Sequence, residues 1–87
     1  MRLQNKVGFI TGAARGIGAA SARRFVEEGA RVIIADRRVE EGQALAAELN
    51  GLREDSAVFI ELDITSETAW GEAMQQAIHR FGRVDIL

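Results

Sequence analysis

Cysteine is absent from the 87 residues, which excludes disulfides, thiolate catalysis and thiolate metal sites. Tyrosine is absent too, and the single lysine is Lys6, beside the first apolar run. The one histidine, His79, has no second histidine or cysteine with which to hold a metal and is expected at the surface. No apolar run approaches a membrane span, and the start carries no signal-peptide pattern. A cytoplasmic protein with no membrane partner is therefore expected. The formal charge is −2 and the ten arginines are scattered, mostly beside acids, so there is no nucleic-acid footprint. There is no Pro-rich linker, repeat or low-complexity stretch, which leaves one small domain at most.

What the chain does have is a regular alternation of two patterns. Short continuous apolar runs rich in Val and Ile predict strands over 6–11, 31–36 and 57–62, with a fourth beginning at Val84-Asp85-Ile86-Leu87. Helices are predicted over 16–28, 39–50 and 66–81, each followed by a glycine suited to closing its C-terminus: Gly29, Gly51 and Gly82. Ser66 is the expected N-cap of the third helix, and Trp70, Met74, Ala77, Ile78 and Phe81 form one predicted buried stripe.

Such alternation is the pattern of a parallel sheet with right-handed crossovers. If the first three strands step one way and the fourth returns beside the first, two helices cover one face and the third covers the other. The expected fold class is α/β, the first half of a Rossmann-like doubly wound parallel sheet with strand order 3-2-1-4. With only the third helix on its face, part of that face is expected to be bare.

The run Thr11-Gly12-Ala13-Ala14-Arg15-Gly16-Ile17-Gly18 joins the first strand to the first helix. Gly12 permits a tight turn, Gly16 omits a side chain where phosphates would approach, and Gly18 permits close packing of the new helix. A helix start aims N–H groups and partial positive charge at a bound pyrophosphate. The second strand ends in Asp36, eighteen residues past Gly18, near the offset of an acid that accepts from ribose hydroxyls. Together these features predict a dinucleotide site.

These residues resemble the short-chain dehydrogenase/reductase family. The resemblance rests on the Thr-Gly-x-x-x-Gly-x-Gly spacing of residues 11–18, on Asp36, on Asp63-Ile64 after the third strand, and on Arg80-Phe81-Gly82-Arg83-Val84-Asp85-Ile86-Leu87. It covers essentially the whole chain but only about the first third of a typical family domain. The domain expectation is thus residues 1–87 as the N-terminal part of one NAD(P)-binding Rossmann domain, truncated at the start of strand four.

The resemblance implies that Gly12, Arg15, Gly16, Ile17 and Gly18 surround the pyrophosphate and adjacent ribose. It also implies that Asp36 accepts from the adenosine hydroxyls, that Asp63 accepts from the adenine amino group, and that the Ile64 N–H donates to the ring. Asp36 would repel the 2′-phosphate of NADP, whereas Arg37 and Arg15 would attract it; NAD is the cofactor expected. The family's catalytic Ser, Tyr and Lys fall beyond Leu87, so no catalytic residue is assigned. The implied activity of the complete protein is hydride transfer between the nicotinamide and a small alcohol or carbonyl substrate, in a homo-oligomer. The alternative is a non-catalytic nucleotide-binding module or an inert fragment.

Other residues carry plainer expectations. Asp85 is expected to bond backbone groups. Arg23, Arg24, Glu27 and Glu28 read as a solvated helix face, as do Arg37, Arg38, Glu40 and Glu41, among which only Arg37 is given a role near the ribose.

Overall fold

The structure, a computed structural model, describes residues 4–63 and 65–85. Ile64 and the Ile86-Leu87 end of the expected fourth strand lie outside the described residues. Three parallel strands, β1 (Val7–Thr11), β2 (Arg31–Asp36) and β3 (Ala57–Glu61), alternate with α1 (Gly16–Glu27), α2 (Val39–Leu52) and α3 (Glu67–Phe81). The sheet order is β1-β2-β3, with Val7 opposite Arg31 and Asp36 opposite Glu61. This is the 3-2-1 part of the expected order.

Side-chain alternation along each strand divides the core. Val32, Ile34 and Ala57 pack with Ala19, Ala22 and Val26 of α1 and with Leu45 and Leu49 of α2. On the other face, Phe9, Ile33, Ala35 and Ile60 pack with Ala73 and Ala77 of α3, flanked by Trp70 and Met74. The central strand is covered on both sides, and its Ile33 and Ile34 are fully buried, each worth about 2–3 kcal/mol against exposure. Part of the α3 face is bare, as expected, at β3, where half-buried Val58 lines an open cleft with Ile60, Gln75 and His79, whereas Phe9 of β1 is fully buried. Trp70 stacks on Phe9 at 5.7 Å and completes the cover there.

Two local expectations are corrected. Ile78 is exposed, because it lies about 100° around α3 from the buried Ala77; Ala73 takes the core position instead. Gly51 does not end α2, which continues to Leu52. Asn50 and Ser56 close that helix: the Asn50 amide bonds the Ser56 and Ala57 backbone, and the Ser56 hydroxyl donates to the Leu49 carbonyl at 2.9 Å. Side chains thereby replace a left-handed glycine at this terminus. Gly82 does close α3 in the left-handed conformation, and its N–H donates to the Ile78 carbonyl.

Beyond α3 the chain returns to β1. The Asp85 N–H donates to the Val7 carbonyl at 2.8 Å, and the Asp85 carboxylate accepts from the Val7 N–H at 2.9 Å. The Val7 bond holds the Asp85 carboxyl below its ordinary pKa against the opposing effect of burial, with help from Arg83. Asp85 therefore bonds backbone, as expected. It does so at the β1 edge away from β2, where the order 3-2-1-4 puts the next strand.

Candidate functional site

All three strands point their C-terminal ends at one edge of the sheet, the edge where ligands bind in open parallel sheets. Thr11 lies opposite Ala35, and the N–H of Leu62, just past β3, donates to the Asp36 carbonyl at 3.1 Å. The turn after β1 thus stands beside the ends of β2 and β3.

The turn takes its shape from its glycines. Gly12 and Gly16 have φ of +63° and +64°, a left-handed conformation that side chains resist. Gly18 is required for a different reason. A Cβ there would lie 2.4 Å from the Gly12 carbonyl oxygen and 2.9 Å from the Ala13 Cα. Its packing partner is the turn itself rather than the sheet. Above Gly12 and Gly16 nothing lies within 4 Å of an added Cβ, so the outer side of the turn is open. Arg15, the N-cap of α1, makes no side-chain capping bond, and the first turn of α1 holds no acid. Ile17 is 87% exposed.

Asp36 faces this turn. It is 5% exposed and accepts from the Ala14 N–H at 3.1 Å through one oxygen and from the Arg38 N–H at 2.9 Å through the other. Burial pushes its pKa up. The Arg38 and Ala14 N–H groups, the Arg38 guanidinium and the Arg37 backbone outweigh burial and bring the carboxyl below its usual range. Asp36 is thus an ionised acceptor, held against the glycine turn by a turn amide.

The guanidinium that reaches Asp36 belongs to Arg38, at 3.5 Å, and not to Arg37. Arg37 is exposed and contributes instead to the lowered pKa of Asp63. Arg15 pairs with Glu41 of α2 through two bonds, at 3.0 and 3.2 Å. Arg38 and Glu41 are therefore part of this constellation, although the sequence placed both on a solvated face. Their spacing held the signal. An Asp commonly bonds the backbone two residues on, and Arg38 and Glu41 are helix neighbours at i, i+3.

Asp63 lies at the same sheet edge. One of its oxygens accepts from both the hydroxyl and the N–H of Thr65, and these bonds lower its pKa. Ser66 caps α3 as expected, accepting from the Ala69 N–H at 3.1 Å. The structure thus brings Gly12, Arg15, Gly16, Ile17, Gly18 and Asp36 into one unit, with Arg37 and Asp63 on the neighbouring strand ends.

The family profile for short chain dehydrogenase matches residues 6–87. The chain belongs to the short-chain dehydrogenase family. It is 43% identical over 91 residues to trans-4-hydroxycyclohexanecarboxylate dehydrogenase of Sinomonas cyclohexanicum, covering 99% of this chain and 35% of that protein. It is 48% identical over 84 residues to L-fucose dehydrogenase of Oryctolagus cuniculus, covering 97% and 28%. Among solved structures, 3-ketoacyl-(acyl-carrier-protein) reductase from Brucella melitensis, complexed with NADH, superposes with a TM-score of 0.89 at 36% identity, over 97% of this chain and 33% of that one. Hydroxysteroid dehydrogenase from Escherichia coli gives a TM-score of 0.93 at 34% identity, over 98% and 36%. The chain spans about a third of the length of these relatives.

Proposed function

We propose that this chain forms the adenosine-diphosphate half of a nicotinamide dinucleotide site, in an oxidoreductase that acts on an alcohol or carbonyl. In this proposal Gly12, Gly16, Ile17 and Gly18 receive the pyrophosphate, Asp36 accepts from the adenosine ribose, and Asp63 and Ile64 meet the adenine. A bound nicotinamide would supply hydride transfer. The residues of this chain bind and orient its distant end and take no part in moving the proton. One observation carries the proposal: an open, left-handed glycine turn leads into a helix with no capping side chain, and an ionised buried carboxylate is bonded to the same turn. A relative of the same fold binds NADH.

NAD is proposed over NADP, because the Asp36 carboxylate occupies the position from which a 2′-phosphate would be repelled. Calorimetric titration of NAD, NADP and ADP-ribose into the chain and its Asp36→Ala variant tests the assignment. NAD should weaken in the variant while NADP is spared. An unchanged affinity ratio would remove Asp36 from the site, and NAD binding far more tightly than ADP-ribose would contradict the half-site.

A further inference from the structure

We infer that Glu41 is a positioning residue that selects the dinucleotide, by holding Arg15 away from the ribose that Asp36 would bind. The inference rests on the nucleotide reading above. Four charged side chains alternate in sign around the mouth of the glycine turn. The Asp36 carboxylate meets the Arg38 guanidinium at 3.5 Å. Arg38 meets Glu41 at 4.0 Å, and Glu41 meets Arg15 at 3.0 Å. Ala14, adjacent to Arg15 in the chain, closes the ring through its N–H bond to Asp36.

The ring gives each of the two basic residues near Asp36 an acidic partner within the chain. Arg15 follows the amide that Asp36 grips, so a phosphate on a ribose held by Asp36 would lie within reach of the Arg15 side chain. Guanidinium and phosphate match in planar, two-point geometry, and an arginine at this place would draw NADP. In this chain the same two-point geometry is taken up by the Glu41 carboxylate, through the Arg15 Nε and Nη2 atoms. Glu41 thus cancels the cation that would otherwise offset Asp36. The pair is half exposed, so its worth to stability is small, and its consequence falls on the ligand.

Glu40 provides an internal control. It carries the same charge in the same first turn of α2, is exposed, and makes no ion pair among the described residues. A general electrostatic effect would act through either glutamate, whereas a clamp acts through Glu41 alone.

The test is equilibrium binding of NAD and NADP to the full chain, to Glu41→Gln, to Glu40→Gln and to the double variant Arg15→Gln/Glu41→Gln, with thermal melting to confirm folding. Glu41→Gln should raise the NADP-to-NAD affinity ratio about tenfold, the worth of one charge-assisted hydrogen bond. It should also steepen the salt dependence of NADP binding. Removing Arg15 as well should return the ratio to its starting value, and Glu40→Gln should leave it unchanged. The inference is overturned if NAD still binds and the ratio does not move in Glu41→Gln, or if Glu40→Gln moves it equally. If neither dinucleotide binds the unsubstituted chain, the nucleotide reading itself fails and the inference falls with it.

Discussion

Two helix starts in this small molecule solve the same problem in opposite ways. At α3, Ser66 accepts from the Ala69 N–H and Glu67 sits in the first turn, so the helix satisfies its own donors and complements its own dipole. At α1 no side chain caps the helix, the first turn holds no acid, and two left-handed glycines keep the approach clear. Stability alone favours the α3 solution. A helix start with neither cap nor acid, at the strand edge where Asp36 lies, is what the proposed pyrophosphate site requires, since the ligand would supply the missing negative charge. Under the proposed function, the difference is that between a structural terminus and a binding one.

The contrast breaks most severely at Gly18. A methyl group there collides with backbone at 2.4 Å, and backbone cannot move aside as a flexible side chain can. Gly18→Ala should destabilise the chain by about 3 kcal/mol in urea unfolding and abolish ADP-ribose binding. A variant with an unchanged unfolding midpoint would show that the turn is not packed as described.

Asp36 comes next. Its carboxylate joins the turn to β2, and Asp36→Asn should cost about 2 kcal/mol near neutral pH, because two backbone N–H groups lose a charged acceptor. The folded-state pKa lies below the ordinary aspartate value. The ionised carboxylate therefore stabilises the fold above the unfolded pKa of about 4, and that contribution is lost as pH falls through the folded value. Unfolding curves of the two proteins should accordingly converge on acidification. A constant gap between pH 7 and pH 3 would mean that the charge of Asp36 does not matter.

Most of this could be read in the residues. Short Val/Ile runs that alternate with amphipathic helices leave few arrangements, and the right-handed crossover rule put α3 on the opposite face from α1 and α2. Gly12, Gly16, Gly18 and Asp36 were visible through spacing alone. The misses share a cause. Gly51 looked like a helix stop because glycine usually is one, but Asn50 and Ser56 satisfied the terminal groups by bonds that only the folded turn reveals. Glu41 looked like surface charge because its partner, Arg15, comes from a different element. Ile78 fits a helical stripe by period, and only the placement of α3 on the sheet decides which side of that stripe is covered.

The contrast between the two helix starts sharpens when each is given the other's chemistry. Ser66→Ala should cost about 1 kcal/mol of stability and leave dinucleotide affinity unchanged, since its hydroxyl serves α3 alone. Ile17→Glu places an acid in the first turn of α1, as α3 already has. The Ile17 side chain is almost fully exposed, so little packing is lost, and the added charge complements the helix dipole. A helix start that served only the fold would gain from this change. A start that receives a pyrophosphate would instead repel it, and NAD affinity should fall about fivefold, more at low salt than at high. The same substitution therefore moves stability and binding in opposite directions. If Ile17→Glu stabilises the chain and NAD binds as before, the α1 terminus is merely uncapped, and the pyrophosphate must lie elsewhere.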